Sequence, residues 1–349
     1  MVPVVVLAAA GVGAYLGLRG PQPAPEPGGG GHSLVSIVRD LGRNTWTKLT
    51  PSGTPPIGRD GYAMVYDPTA DEVIIFSGAN QFGDVLLNDI WAYDPGKDAW
   101  RNLRPSGTLP PVRANPGMVY AQASGKVLVF GGSNLKSVLN DTWAYDPAAN
   151  AWRDLSPSGT PPPARSGQSM VCDSGTGQVI MFGGSDDNGF FNDTWAYDPS
   201  KNTWTNLSPS GPLPPPRSAQ SMVYDSTSGH VIMFGGTNDQ GDLNDIWAYD
   251  PAANAWRDLS PSGTVPPACS SCLMNYNPTS GQLIMFGGWA GDQVLYDTWS
   301  YDPRRNTWTN LKPPGDTPID NHAEMVYDSS AGVALTLDGI SGETWVYKP

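Results

Sequence analysis

The sequence predicts an all-β protein assembled from repeats, and three observations carry that expectation. The 349 residues include 41 Gly, 35 Pro and 13 Trp, yet no apolar run sustains helical spacing, a combination that indicates short strands joined by tight turns. Tryptophans recur at 46, 100, 152, 204, 256 and 308, with a second series at 91, 143, 195, 247, 299 and 345, so the spacing is 52 residues almost throughout. A fixed period of that order marks units that stack or radiate from an axis.

Composition narrows the function. Only 15% of residues are charged, too few for a disordered chain. With 33 Asp+Glu against 20 Lys+Arg and a net charge of -13, no basic face exists for a phosphate backbone, and nucleic acid is excluded as a partner. Three cysteines cannot build a disulfide scaffold, so side-chain burial must hold the fold.

Residues 1–19 read as an apolar leader or membrane anchor. Val2 to Leu18 is apolar, Arg19 follows, and no positive residue precedes it; the stretch is shorter than the roughly 20 residues a bilayer requires. Val12-Gly13-Ala14 reads as a small-residue cleavage site, while a start codon assigned too late explains the missing charges equally well. Residues 20–33, containing PQPAPEPGGGG from Pro21 to Gly31, form a Pro/Gly linker that is stiff and then flexible. Residues 34–349 are the repeat domain. Leader and tether together lead us to expect a domain held outside the cytoplasm, secreted or membrane-anchored, and we expect that domain to be monomeric.

Each repeat supplies four strands. The first is of the type Ala63-Met64-Val65-Tyr66-Asp67, and the second ends in a glycine pair, as in Ile180-Met181-Phe182-Gly183-Gly184. The third runs Thr194-Trp195-Ala196-Tyr197-Asp198-Pro199, and the fourth surrounds Asn202-Thr203-Trp204. The glycine pair after an apolar strand, the downstream Trp-x-Tyr and the second Trp resemble bacterial Kelch repeats, from Asn44 to Tyr347. The resemblance implies a six-bladed β-propeller with the architecture of the galactose-oxidase central domain. Radial packing of four-stranded antiparallel sheets buries their apolar faces, in agreement. First strands begin near Met64, Met118, Met170, Met222, Met274 and Met325, but the first copy of the fourth strand, at Trp46, precedes the first blade. The last blade must therefore borrow Asn44 to Leu49. Val35 to Asp40 matches a third strand weakly, as a remnant seventh unit would. Phe76, Phe130, Phe182, Phe234 and Phe286 and the twelve periodic Trp read as inter-blade wedges. Gly132, Gly184, Gly236 and Gly288 meet a need for close approach or positive φ, and the Asp-Pro pairs beginning at 94, 146, 198, 250 and 302 form turns.

Alternating strand direction puts the loops after Gly-Gly and the Pro-rich linkers between blades on one face, and ligand contacts are expected there. Tyr62, Phe82, Phe190, Phe191, Trp289 and Tyr296 lie off the repeat and map to that face. Exposed, they would stack on sugar rings or anchor a protein; otherwise they cap neighbouring blades. Arg59, Arg113, Arg165 and Arg217 precede the innermost strands and should ring the channel mouth, where they could clamp a carboxylate. Asp89, Asp141, Asp193, Asp245 and Asp297 share their period, however, and inter-blade ion pairs are the simpler reading, because a desolvated arginine needs a partner. Cys269 and Asp320 replace the arginine in blades 5 and 6.

Cys269-Ser270-Ser271-Cys272 stands alone, so it reads as a local disulfide or, in a reducing compartment, two thiols rather than a zinc site. Cys172 replaces a strand tyrosine and is expected to be buried. Copper-radical oxidases share the Kelch architecture, but His32, His230 and His322 are too few and too scattered for such a centre. Asp186-Asp187-Asn188, Asp239 and Asp242 fit no calcium loop. The sequence therefore implies no metal or cofactor, and reads as a non-catalytic binding or scaffold module presenting long loops to a protein or carbohydrate. The rival reading is an enzyme on acidic sugars, resembling sialate mutarotases or sialidases, with Tyr62, Asp60 or Asp320 near the reacting carbon; the absence of Asp-box turns counts against it.

Overall fold

A computed structural model describes residues 38, 41–80, 83–319, 324–339 and 341–349. The leader, the linker, Phe82, Asp320 and His322 lie outside these residues, as does Val35 to Asp40 apart from Val38. Among the described residues, no helix is long and apolar enough to cross a membrane.

Six four-stranded antiparallel sheets form the chain. Blade 1 comprises Ala63–Asp67, Glu72–Phe76, Ile90–Asp94 and Ala99–Asn102. Blade 2 comprises Gly117–Ala121, Lys126–Phe130, Thr142–Asp146 and Ala151–Asp154, and blade 3 Ser169–Cys172, Val179–Phe182, Thr194–Asp198 and Thr203–Asn206. Blade 4 follows with Ser221–Asp225, His230–Phe234, Ile246–Asp250 and Ala255–Asp258, and blade 5 with Leu273–Asn277, Gln282–Phe286, Thr298–Asp302 and Thr307–Asn310. Blade 6 contains Glu324–Asp328, Val333–Leu337 and Thr344–Lys348, and is completed by Thr45–Lys48. That early strand pairs with the last one in the register Trp46 to Tyr347 and Lys48 to Trp345. The innermost strands neighbour one another all the way round, blade 6 touching blade 1. The ring is six-bladed and closes as the strand count requires.

Alternation along each strand distributes the core. In Glu72–Phe76, Val73 and Ile75 face blade 6, while Ile74 and Phe76 face blade 2, because successive side chains leave a strand on opposite sides. The apolar residues therefore gather in six clusters, one per seam. A repeated relay secures each seam. Trp204 stacks on Phe130 of the preceding blade at 5.0 Å and on Tyr197 of its own at 5.1 Å. Its indole N–H donates to Thr142 across the seam at 3.0 Å. The Tyr197 hydroxyl donates to Asn202, whose amide in turn donates to the Leu155 carbonyl of blade 2 at 2.7 Å. Blade 6 repeats this with the borrowed strand: Trp46 donates to Thr298, and Asn44 links Tyr347 to the Leu311 carbonyl.

The relay fails at identifiable residues. Trp152 and Trp308 have no partner for their indole N–H; the third strands of the preceding blades open with Ile90 and Ile246 in place of threonine. In blade 1, Asp98 replaces the asparagine, accepts from Tyr93 at 2.7 Å, and has its carboxyl pushed up by burial.

The glycine pairs serve close approach, as expected. Gly184 has φ +93°, and a Cβ there would sit 3.0 Å from the Ser166 carbonyl. Its N–H donates to the Arg217 carbonyl of the next blade at 2.9 Å, so the pair is where one blade grips its successor.

Candidate functional site

The long-loop face begins at the four arginines. Each precedes an innermost strand, and three are tied through the backbone carbonyl to the preceding blade: Gly78, Gly132 and Gly184 donate to Arg113, Arg165 and Arg217. Each side chain then turns into its own blade. Arg165 donates through Nη1 to Asp193 Oδ1 at 2.5 Å and through Nη2 to Oδ2 at 2.8 Å. Nη1 also reaches the Gly183 carbonyl at 2.9 Å, and Nε the Pro163 carbonyl at 3.1 Å. Arg59, Arg113 and Arg217 repeat this cradle on Asp89, Asp141 and Asp245. A tryptophan completes each one: Trp91, Trp143, Trp195 and Trp247 donate to the same carboxylates at 2.7 Å.

All four arginine side chains are 0% exposed. None offers a free guanidinium, which corrects the expectation of a ligand clamp at the channel mouth. The ion pairs foreseen between Arg and Asp do form, but within a blade; Arg113, Arg165 and Arg217 bridge the seam because each backbone carbonyl is held by the preceding blade while the head group sits in its own. Burial raises the carboxyls of Asp193 and Asp245, but the facing arginines outweigh it and hold both below their ordinary range.

The off-repeat aromatics divide. Tyr62 is 2% exposed and is corrected from surface ligand-binder to seam residue. Its hydroxyl donates to the Leu337 carbonyl of blade 6, as the Gln168 and Gln220 amides donate to Phe130 and Phe182 at the corresponding seams. Phe191 is half-buried and lies 4.0 Å below the Arg165 guanidinium carbon, capping that cradle. Phe190 and Trp289 are half-buried in short hairpins, Ser185–Asp186 with Gly189–Phe190 and Trp289–Ala290 with Gln293–Val294. Tyr296 is 48% exposed.

Three further groups stand out, of which only Tyr296 and the arginine-less Asp297 were foreseen. Exposed large hydrophobics number eight among the described residues: Ile57, Val85, Leu109, Val112, Leu135, Leu213, Tyr296 and Ile319. All eight sit in linkers or loops of the long-loop face, six of them on the sector of blades 6, 1 and 2. The opposite face carries charged Asp-Pro turns instead, with Asp198 paired to Lys201 and Asp302 to Arg305. Glu324, at the head of the innermost strand of blade 6, is the second group. It reaches solvent yet is crowded by protein, which pushes its carboxyl up to about 7, and its N–H donates to the Tyr62 hydroxyl at 2.9 Å. Third, blade 5 presents Asp297 exposed and without an arginine.

The cysteines divide. Cys269 and Cys272 are paired as a local disulfide and buried. Cys172 is half-buried, its thiol pushed up by burial. No group of three or more His, Cys, Asp or Glu able to hold a metal occurs among the described residues. Asp186 accepts from Asn188 and Asp242 from the Gly291 N–H of the next blade. His230 lies 3.7 Å from Asp250 on the short-turn face. Shallow hollows lie between blades 2 and 3 on that face, at Thr176 and Asp198, and at the rim of blade 1, beside Trp100 and Arg104.

Comparison with known proteins agrees with this geometry. A family model described as the KLHDC2/KLHL20/DRC7 Kelch-repeats domain matches residues 27–228 and 178–333. Putative adagio-like protein 2 of Oryza sativa subsp. japonica is 28% identical over 339 residues, 89% of this chain and 52% of the relative. Kelch domain-containing protein 10 of Rattus norvegicus is 26% identical over 298 residues, 79% of this chain and 70% of the relative. Rab9 effector protein with kelch motifs of Xenopus laevis is 28% identical over 208 residues, 57% of this chain and 56% of the relative. The chain thus spans about half the length of the rice protein.

Proposed function

The chain belongs to the Kelch-repeat family, and from that premise we propose that it is a protein-binding module, without catalytic activity of its own, that docks its partner on the long-loop face. One observation carries this: every exposed large hydrophobic among the described residues lies on that face. Apolar side chains that a folded domain leaves exposed on one face are candidates for an interaction site. Their clustering on blades 6, 1 and 2 gives the interface its apolar centre. That the frog relative is named as an effector of Rab9 supports a protein, rather than a sugar, as the partner. The paired Cys269 and Cys272 fit display outside the cytoplasm on the Pro/Gly tether, which is part of this proposal, as is a monomeric domain.

The test places a photo-crosslinking residue at Leu135 or Ile319, and for comparison at Lys97 or Lys201 on the short-turn face. Adducts identified by mass spectrometry should contain protein and come from the long-loop positions. Equal yields from both faces, or glycan-array binding that Trp289→Ala abolishes, would overturn the reading in favour of no preferred face or of a carbohydrate ligand.

A further inference from the structure

Blade 5 keeps the acceptors of the arginine cradle but has no arginine. In blades 3 and 4 the guanidinium is held by the carboxylate before the third strand and by the carbonyl of the first glycine of the pair. The corresponding residues of blade 5 are Asp297 and Gly287, while Cys269 stands where Arg165 and Arg217 stand and is bonded to Cys272. Asp297 is exposed and accepts from the Asn310 amide at 3.2 Å. Trp299 supplies an independent sign. It is 5% exposed, as deeply buried as Trp195 and Trp247 at 7%. Its indole N–H nonetheless has no hydrogen-bond partner, whereas theirs donate to the arginine-bound carboxylate at 2.7 Å. A buried unpaired donor is costly, and here it marks a carboxylate that no guanidinium holds in place.

The residue before the carboxylate differs as well. It is asparagine in blades 1 to 4, at 88, 140, 192 and 244, but Tyr296 in blade 5, and its ring is 48% exposed. An exposed aromatic residue next in sequence to a carboxylate that has an amide but no ion-pair partner among the described residues is a combination that a planar guanidinium can satisfy by stacking and by a two-point ion pair. Blade 3 shows an aromatic ring against a carboxylate-bound guanidinium, with Phe191, two residues before Asp193, against Arg165; Leu295 holds that position in blade 5, so Tyr296 offers its ring from the next residue along.

We propose that blade 5 receives in trans what blades 1 to 4 supply in cis: an arginine side chain of the protein partner, stacked on Tyr296 and paired through both terminal nitrogens with Asp297. Lysine fits less well, since a point charge cannot span both carboxylate oxygens in one plane. This inference rests on the long-loop face being a protein-docking face, and it adds the chemistry of one contact. Once Asp297 is drawn into the cradle position, Trp299 regains its acceptor, so its indole resonance reports occupancy.

The test titrates the full chain with Nα-acetyl-arginine amide while following the indole 15N–1H resonances, that of Trp299 being assigned with Trp299→Phe. We expect a saturable shift of the Trp299 resonance, at least about fivefold weaker binding of the lysine analogue at equal ionic strength, and loss of the shift in Asp297→Asn. Unchanged remaining indole resonances in that variant would show that it is folded. No Trp299 shift, an equal response to lysine, or a shift that survives Asp297→Asn would overturn the proposal. A negative titration alongside face-selective crosslinks removes the arginine and leaves the docking face. A positive titration without such crosslinks keeps the guanidinium site and overturns the protein partner as its source.

Discussion

Blades 3 and 5 differ less in their seams than in what lies beneath their loops. Both stack a rim tryptophan on a phenylalanine of the preceding blade, Trp204 on Phe130 and Trp308 on Phe234. Both pass a hydrogen bond from tyrosine to asparagine to a leucine carbonyl across the seam. Only blade 3 has the arginine cradle; blade 5 has Cys269 and an exposed Asp297. Blade 5 therefore forms with the stacked rim and the tyrosine–asparagine–leucine bonds alone, without the cradle and without the Trp308 indole bond. The cradle is an addition that consumes a carboxylate, and where it is lost the carboxylate is released to the surface.

The sharpest way to break this comparison is to remove the two carboxylates in turn. Asp193→Ala leaves the Arg165 guanidinium buried and unpaired and should cost about 3–5 kcal/mol in urea unfolding; Asp297→Ala should cost under about 0.5 kcal/mol. Similar losses at both sites would show that the cradle is not the difference. A smaller effect tests the seam relay that the blades share. Thr194→Val orphans the Trp256 indole, which donates to Thr194 at 2.9 Å, and should cost about 1–2 kcal/mol. The reciprocal change, Ile246→Thr, gives Trp308 an acceptor and should stabilise by about 1 kcal/mol.

Blade 1 offers a third contrast. Asn150, Asn202, Asn254 and Asn306 each donate across a seam at positive φ. Asp98, at φ 47°, cannot donate while ionised. Asp98→Asn should raise stability by about 1 kcal/mol at neutral pH. Because burial raises the folded Asp98 pKa, the wild-type residue is at its best below the unfolded value of about 4 and loses stability as pH rises through the folded one. The advantage of the substitution should therefore fade in acid. The smallest expected effect has the opposite sign. Asp193 and Asp245 are depressed in the folded state, so their contribution is present above about pH 4 and lost as pH falls below it. The thermal midpoint of the wild type should drop there, and that of Arg165→Met, compared at equal salt, should drop less.

Much of the ring was readable from spacing alone. The tryptophan period set the number of blades, and the misplaced copy at Trp46 required the borrowed strand, because a count of strands is conserved whatever the packing. The alliance of Arg165 with Asp193 was also visible, since both recur at one period and a buried arginine needs a counter-charge. Tyr62 was misread because an aromatic off the repeat looks like surface; only its equivalence to Gln168 and Gln220, two residues before the strand methionine, reveals a seam donor. Apart from Tyr296, the exposed apolar residues of the long-loop face left no signal. Single leucines and isoleucines in Pro-rich linkers have neither a period nor a polar partner, and their exposure is decided by tertiary packing.

The pairing of Thr45–Lys48 with Thr344–Lys348 also sets a schedule for biosynthesis. On the ribosome Thr45–Lys48 must wait, its backbone edge and Trp46 uncovered, until Thr344–Lys348 has been translated. Blades 1 to 5 can fold as they emerge, but the ring cannot lock before Thr344–Lys348 leaves the exit tunnel. An unpaired edge persisting that long invites non-native strand addition, so the nascent chain, more than the finished propeller, is the species that needs chaperone protection.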